Sequence, residues 1–302
     1  MKKLLDFTPE VSTRDPFILK HNGLYYACFA GKNDSIGMLC AKSPEDFATA
    51  KPQTVYSAEA GKPWSKQLWA PELHILDGKC YIYVACDDGN NHNHRMYVLE
   101  NNSNDPLALY TLAGKIADDS DKWAIDGTIM HHGGKRYFIW SGWEEDVNVC
   151  QHLYIAEMDS PKTLCSPRVL ISSPEYDWEK LGATGEDESP FINEGPFVIT
   201  LEGETYLLYS GAGSWCADYC IAAMKLVGSD PMRKESWQKL PLPVFSSNAL
   251  VMGAGHCSAI EEEGGYSVFF HAWDKNEQVV QWNTVGMWQA RLMLKEGNLV
   301  IE

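Results

Sequence analysis

The chain has 302 residues, of which 45% are hydrophobic and 22% are charged, and this is the composition of a globular protein. Its 25 Lys and Arg against 41 Asp and Glu leave a formal net charge of -16. This balance argues against nucleic acid or an anionic membrane as a partner, because both attract clustered positive charge. No run of residues is long and apolar enough to span a membrane.

The N-terminus and the cysteines bear on the compartment. Lys2 and Lys3 are not followed by the apolar core of a secretion signal, although a chain trimmed of its leader would look the same. The nine cysteines are an odd number without any C-x-x-C pair, which favours buried, reduced thiols. Together these features predict a cytoplasmic location.

Along the chain, one pattern recurs five times: a short polar or acidic motif, an apolar strand, a turn with glycine, and an aromatic strand. The copies occupy residues 14–29, 69–85, 125–141, 191–210 and 255–271. Turns such as Asn22-Gly23 and Asp77-Gly78 predict hairpins, because Asn, Asp and Gly accept the positive φ of tight turns. Further strand-like sequence follows each hairpin, so a unit holds about four strands.

Five such units predict an all-β fold, a five-bladed β-propeller with four-stranded antiparallel blades, as one catalytic domain over residues 1–302. The alternative is a pair of β-sandwiches of about 150 residues each. A pair of sandwiches gives no reason for five repeated motif starts. In a propeller, the innermost strands line a central channel, so the motif starts converge at one end of it.

Three of the motifs carry a carboxylate at equivalent positions: Asp15, Asp126 and Glu194. Taken singly, each is explained as a turn residue or a strand end facing water. Together, at equivalent positions on one channel, they repel each other, which costs stability. Glycosidic bond cleavage uses such a set, because one carboxylate activates water, another protonates the leaving oxygen and a third tunes the acid. Glu194 lies among apolar residues, and burial raises the pKa of a carboxyl as a general acid requires.

The five motifs resemble glycoside hydrolase family 43 in order and spacing over essentially the whole chain. They are residues 15–16 (Asp-Pro), 69–72 (Trp-Ala-Pro-Glu), 125–128 (Ile-Asp-Gly-Thr), 193–196 (Asn-Glu-Gly-Pro) and 255–258 (Gly-His-Cys-Ser). Residues 140–144 and 153–156 further resemble the exo-acting α-L-arabinofuranosidases of that family.

The resemblance implies that Asp15 is the general base, Asp126 the pKa modulator and Glu194 the general acid of an inverting hydrolase. The base and acid carboxyls should then lie roughly 6.5–9.5 Å apart, with room for a water between them.

The resemblance also concerns His256, whose counterpart in many relatives points into the channel and helps to hold a water-bound ion, often calcium. Substrate contact and a water-mediated structural Ca²⁺ are therefore predicted for His256, against the alternative of a hydrogen-bonded structural residue. No cofactor is required for hydrolysis by paired carboxylates. Trp69 and Trp143 are candidates for stacking on a sugar ring, with a place in the core as the alternative.

Other acidic and histidine residues are interpreted as solvated. Glu186, Asp187 and Glu188 lie in a glycine-rich loop. The histidines at positions 92, 94, 131 and 132 lie in polar turns without the spacing of a metal site, so surface loops are predicted for them.

The predicted function is release of terminal α-L-arabinofuranosyl residues from arabinan or arabinoxylan oligosaccharides. A β-D-xylosidase or an endo-arabinanase on the same fold remains an alternative, because loops at the channel mouth set the specificity. The alternatives from other classes are a non-catalytic carbohydrate-binding propeller and a protein-binding scaffold. The three mutually repelling carboxylates argue against the first, and the lack of Trp-Asp motifs at regular spacing argues against the second.

Overall fold

The computed structural model describes residues 1–277 and 280–302, and strands dominate it. The first strand is β1 (Lys2–Asp6), and it belongs to the last blade. The first blade consists of β2 (Phe17–His21), β3 (Leu24–Gly31), β4 (Ser35–Ala41) and β5 (Gln53–Ser57). The second blade consists of β6 (Lys66–Leu76), β7 (Lys79–Asp87), β8 (Arg95–Glu100) and β9 (Thr111–Lys115).

The third and fourth blades are joined into one sheet. The third consists of β10 (Ala124–His132), β11 (Lys135–Gly142), β12 (Cys150–Ser160), β13 (Thr163–Leu164) and β14 (Val169–Ser172). The fourth consists of β15 (Phe191–Leu201), β16 (Glu204–Gly211), β17 (Cys220–Leu226) and β18 (Trp237–Lys239). A short parallel pairing of β12 with β15 connects them. Four short 3₁₀ helices lie between strands, at Pro44–Ala48, Asn91–Asn93, Asp177–Lys180 and Lys234–Ser236.

The fifth blade closes the ring with both ends of the chain. It consists of β19 (Val251–Glu262), β20 (Gly265–Asp274), β21 (Gly286–Lys295) and β22 (Asn298–Ile301). The outer edge of β21 pairs with β1 along one half and with β22 along the other. The five-bladed β-propeller is thereby confirmed, with an outer position shared by two strands in the third and fifth blades.

The predicted hairpin turns are present. Asn22-Gly23, Asp77-Gly78 and Glu202-Gly203 each combine two residues of positive φ, which suits the twist of the flanking strands. Among the described residues, buried apolar side chains form five large clusters, one at each interface between neighbouring blades, and a small sixth cluster of Met252, Trp273 and Val285. All nine cysteines are free, and five of them are buried, so these pack as small apolar groups.

Candidate active site

A residue of positive φ lies in or just before each innermost strand, at an equivalent position in all five blades, and bends the strand there. Asp15, Ala70, Asp126, Gly195 and His256 occupy the corresponding positions, and all have φ between 43° and 56°. In the second to fifth blades, a break in the strand register accompanies the bend. Non-glycine residues in this conformation store strain, and such residues cluster at functional sites.

The strand register shows that Glu194 does not occupy quite the same position in its blade as Asp15 and Asp126 do in theirs, although the sequence predicted equivalent positions. Glu194 pairs with Ser210 as Ile125 pairs with Ser141, so Glu194 lies one position ahead of the place that Asp15 and Asp126 occupy. Gly195 takes the positive φ in its blade, where an added Cβ would come within 3.0 Å of the His256 ring. Glu194 therefore precedes the bend, at the position that Trp69 has in the second blade.

The motif starts converge on one cavity of about 670 Å³, which lies within the usual size range of small-molecule sites. Asp15, Asp126 and Glu194 line it together with Trp69 and His256. The structure thus brings together, in one pocket, five of the six residues that the sequence singled out.

The ring of His256 lies among the three carboxylates and carries a positive charge. Its Nδ1 lies 3.2 Å from Oδ1 of Asp15 and 3.8 Å from Oδ2 of Asp126. Burial by itself would lower the pKa of His256, but the charges of Asp15, Asp126 and Glu194 raise it to about 9. His256 is therefore an imidazolium at neutral pH, and it offsets part of the repulsion among the carboxylates.

The same environment separates the carboxyl pKa values. Burial would raise the pKa of Asp15, but the charge of His256 and the contact with His271 hold it below its ordinary value. Arg14, the partner expected from the sequence, has a smaller influence. Asp15 thus stays ionised although its side chain is only 27% exposed.

The pKa values of Asp126 and Glu194 are shifted in the opposite direction, above their ordinary values. Burial raises the pKa of Asp126 to about 6, against the charge of His256 and a hydrogen bond that the Gly195 N–H donates to Oδ2 over 3.0 Å. Burial raises the pKa of Glu194 to about 8, and the charge of Asp126 adds to this effect. At neutral pH, Glu194 therefore holds a proton while Asp15 does not.

A buried polar network holds the strand that carries Glu194. The Asn193 amide donates to Oε1 of Glu179 over 2.9 Å, and the Ser172 hydroxyl donates to Oδ1 of Asn193 over 2.6 Å. Lys239 pairs with the same Glu179 oxygen over 2.5 Å. Since Glu179 is fully buried, this pairing with Lys239 satisfies a charge that would otherwise be costly.

A smaller contact fixes the start of β2. The Ser258 hydroxyl donates to the Pro16 carbonyl over 2.7 Å and accepts the Ile18 N–H over 3.1 Å. Ser258, from the fifth blade, therefore anchors the chain on both sides of Phe17, two residues after Asp15.

The two candidate stacking tryptophans differ in position. Trp69 lines the pocket, is 36% exposed, and stacks on the ring of His94 with 4.0 Å between centroids. Trp143 is 1% exposed and stacks on Trp123, with 4.6 Å between centroids and 9° between planes. The prediction of sugar stacking by Trp143 is therefore corrected, because the indole is enclosed in the core and it is Trp123 that borders the pocket.

The predicted solvent exposure of the histidine and acidic loop residues is only partly confirmed. His131 and His132 lie at the surface, but His94 is fully buried, with Nδ1 2.9 Å from the Asp87 carboxylate. The surface prediction for His94 is thus wrong, because the ring forms the floor beneath Trp69. The carboxylates of residues 186–188 are exposed as expected, and those of Asp187 and Glu188 line the pocket mouth.

Three residues of the site were not predicted from the sequence. Tyr219 donates a hydrogen bond from its hydroxyl to Oε1 of Glu194 over 2.8 Å. His271 Nδ1 accepts the Asp15 N–H over 3.1 Å and lies 3.3 Å from Oδ1 of the same residue. Trp215 is 37% exposed at the pocket wall. His271 is the last residue of the fifth copy of the repeat and lies within β20, so the repeat alignment could have identified it.

The residues of the pocket do not fit a directly bound metal ion. Within residues 1–277 and 280–302, no three His, Cys, Asp or Glu side chains are arranged as a metal site. His256, as an imidazolium, has no free lone pair for a metal. Direct ligation of a metal by His256 is therefore inconsistent with the charge of its ring at neutral pH.

Comparison with known proteins gives the family. The sequence model described as Glycosyl hydrolases family 43 matches residues 9–288. This chain belongs to that family. It is therefore a glycoside hydrolase, and the binding-module and scaffold alternatives are set aside.

The similar proteins include arabinofuranosidases. An extracellular exo-α-(1→5)-L-arabinofuranosidase of Streptomyces chartreusis is 32% identical over 267 residues, which are 85% of this chain and 79% of that protein. An enzyme of the same name from Streptomyces avermitilis is 32% identical over 269 residues, 87% of this chain but only 54% of that protein. The crystal structure of an α-L-arabinofuranosidase from Lactobacillus brevis aligns with a TM-score of 0.85 at 29% identity, over 97% of this chain and 94% of that one.

The relatives also correct the predicted compartment. Both Streptomyces proteins are named as extracellular enzymes, which contradicts the cytoplasmic location that we expected. Free thiols were a poor guide, because a buried cysteine packs as a small apolar group in either compartment. Among the described residues, no helix has the length and hydropathy needed to cross a membrane.

Proposed function

We propose that this glycoside hydrolase is an exo-acting α-L-arabinofuranosidase that inverts anomeric configuration within a single catalytic domain over residues 1–302. Its substrates are arabinan or arabinoxylan oligosaccharides. Asp15 acts as general base, Asp126 as pKa modulator and Glu194 as general acid. The main support is the separation of pKa values, because one carboxyl is ionised and another protonated in the same pocket at neutral pH.

The mechanism is a single displacement. The Asp15 carboxylate removes a proton from a water molecule as the water oxygen attacks the anomeric carbon. Glu194 delivers its proton to the glycosidic oxygen as the carbon–oxygen bond breaks. This reaction predicts that the base and acid carboxyls lie roughly 6.5–9.5 Å apart, with the water on the far side of the sugar from the leaving group.

Asp126 acts on the acid through its charge. Its carboxylate raises the pKa of Glu194, and its contact with the Gly195 N–H ties it to the strand that carries the acid. His256 limits this effect with its positive charge and borders the substrate pocket. A structural calcium ion held through water in the channel is a separate prediction, and no step of the reaction uses it.

The experiment that tests the substrate compares two chromogenic glycosides, 4-nitrophenyl α-L-arabinofuranoside and 4-nitrophenyl β-D-xylopyranoside. We expect hydrolysis of the first, release of single arabinose units from arabino-oligosaccharides, and the β-anomer as the initial product by NMR. Preference for the xyloside points to a β-D-xylosidase. Cleavage of internal arabinan bonds with neither chromogenic glycoside touched points to an endo-arabinanase.

The pH profile provides a further prediction. Activity should fall as pH rises through about 8, because Glu194 then loses the proton that it donates. Asp126→Asn should move this alkaline limb of kcat/KM to lower pH, since the charge that raises the pKa of Glu194 is gone. Asp119→Asn, an exposed change outside the pocket, should leave the limb in place. An alkaline limb that stays or rises in Asp126→Asn would contradict the modulator role.

A third prediction concerns Trp69. Trp69→Ala should raise KM about 3- to 10-fold with a smaller change in kcat, because stacking on a sugar ring stabilises bound substrate and transition state alike. Trp143→Phe should instead lower the melting temperature and leave KM unchanged, because Trp143 is enclosed in the core. Steady-state kinetics and thermal unfolding of both variants check this, and the reverse pattern refutes it.

A further inference from the structure

The Tyr219 phenol contacts the proposed acid from the side of the core. The residue lies between β16 and β17, its side chain is fully buried, and its hydroxyl donates to Oε1 of Glu194 over 2.8 Å. A carboxyl oxygen that accepts this hydrogen bond is not the one that carries the acidic proton.

The fold holds the phenol ring on two sides. A Cβ on Gly255 would come within 2.0 Å of the Tyr219 ring, so only glycine leaves room for it there. The ring stacks on His271, with 5.6 Å between centroids and 12° between planes. His271 in turn accepts the Asp15 N–H, so the stack connects the acid side of the pocket with the base side.

The direction of the phenol hydrogen bond is set by its neighbours. The backbone N–H of His256 donates to the Ser210 hydroxyl oxygen over 2.7 Å, which leaves the Ser210 proton free to donate elsewhere. Burial raises the pKa of the Tyr219 phenol, and the Ser210 hydroxyl acts in the opposite direction, as a donor to the phenol oxygen does. With Ser210 donating to the phenol oxygen, the phenol proton points at Glu194.

We propose that Tyr219 is a positioning residue that keeps Oε1 of Glu194 occupied, so that the transferable proton resides on Oε2. The proposal deepens the proposed function and rests on Glu194 as the general acid. In the reaction, Oε2–H gives its proton to the glycosidic oxygen, the bond to the anomeric carbon breaks, and Glu194 becomes a carboxylate that still accepts from Tyr219.

This arrangement favours the transition state. A hydrogen bond to a carboxylate is stronger than one to a carboxylic acid, so the Tyr219 contact strengthens as Glu194 loses its proton. The other charged groups that face Glu194 are Asp126, Asp15 and His256, from three other blades. The two aspartates raise the pKa of Glu194, whereas His256 and Tyr219 lower it.

The test is Tyr219→Phe, which removes the hydroxyl and keeps the ring on His271. On an arabino-oligosaccharide, kcat/KM should fall about 10- to 100-fold, the range expected for one charge-assisted hydrogen bond. On 4-nitrophenyl α-L-arabinofuranoside the loss should be much smaller, because nitrophenolate leaves with little protonation. The alkaline limb of the pH profile should move to higher pH.

Tyr83→Phe is the matched control. Tyr83 is also fully buried and donates to a backbone carbonyl, that of Pro161, over 2.6 Å, so its loss tests the removal of a buried hydroxyl elsewhere. It should leave the pH profile and the leaving-group dependence unchanged. Equal losses on both substrates by Tyr219→Phe, with an unmoved alkaline limb, would reduce Tyr219 to a packing role and overturn the proposal.

A direct titration separates this proposal from the proposed function. The carboxyl carbon resonance of Glu194, identified by its loss in Glu194→Gln, is titrated by ¹³C NMR in the parent chain and in Tyr219→Phe. A higher pKa in Tyr219→Phe supports the contact whatever the substrate is, and an unchanged pKa overturns it. Full activity of Glu194→Gln on oligosaccharides would instead refute the acid assignment.

Discussion

Glu194→Ala is expected to lower kcat/KM on an arabino-oligosaccharide by about 10²–10⁴-fold, the contribution of a positioned general acid. The alkoxide leaving group of a sugar needs the proton that Glu194 holds at neutral pH because burial raises its pKa to about 8. The loss on 4-nitrophenyl α-L-arabinofuranoside should be much smaller, because nitrophenolate is a stable anion. Initial rates on the two substrates check both parts of the prediction.

Glu186→Ala is the control for this loss. Glu186 is exposed and lies eight residues before Glu194 on the loop that leads to β15, so its removal takes away a carboxylate without touching the buried cluster. It should keep nearly full activity on both substrates. A Glu194→Ala variant that loses activity equally on both substrates would show that the carboxyl has another role.

Asp15→Asn is expected to lower kcat/KM by a similar factor, about 10²–10⁴-fold, but on both substrates alike. Attack by water needs a base whatever the leaving group, and an amide cannot accept the proton. The change keeps the shape of the side chain and removes the charge that faces His256 Nδ1 over 3.2 Å. The pKa of His256 should therefore fall as well, which NMR titration of its ring checks.

The contrast between the two variants tests the mechanism. An acid variant that responds to the leaving group and a base variant that does not are what a single displacement requires. An Asp15→Asn variant with normal activity on the chromogenic substrate would refute the base assignment. Asp119→Asn, exposed and outside the pocket, provides the control for loss of one aspartate charge.

Local chemistry made the hairpins and their number predictable. A dipeptide such as Asn22-Gly23 accepts positive φ at both positions, and the flanking apolar runs have the length of strands. Closure of the ring was harder to see, because β1 and β22 come from opposite ends of the chain and share one edge of β21. Nothing in either segment alone indicates that partner.

The three carboxylates proposed to be catalytic were recognisable because they recur at motif starts, and the propeller brings such starts together. Their pKa order also followed in part from the sequence, since Glu194 lies among apolar residues. The lowering of the Asp15 pKa could not be predicted from the sequence, because it depends on His256 and His271 from the fifth blade. A charge more than 200 residues away in sequence acts only after the blades close into a ring.

The sequence by itself determined the all-β class, the five repeats, the family resemblance and the three carboxylates, because each depends on local patterns that repeat along the chain. The tertiary structure alone decided which aromatic rings face the pocket. It placed Trp69 at the surface and Trp143 in the core, although the sequence made both of them candidates for stacking on a sugar ring. It also brought Tyr219 to Glu194 within the fourth blade, through the space that Gly255 of the fifth blade leaves for the phenol ring. Packing between blades is set by side chains distant in sequence, so no local pattern of residues encodes it.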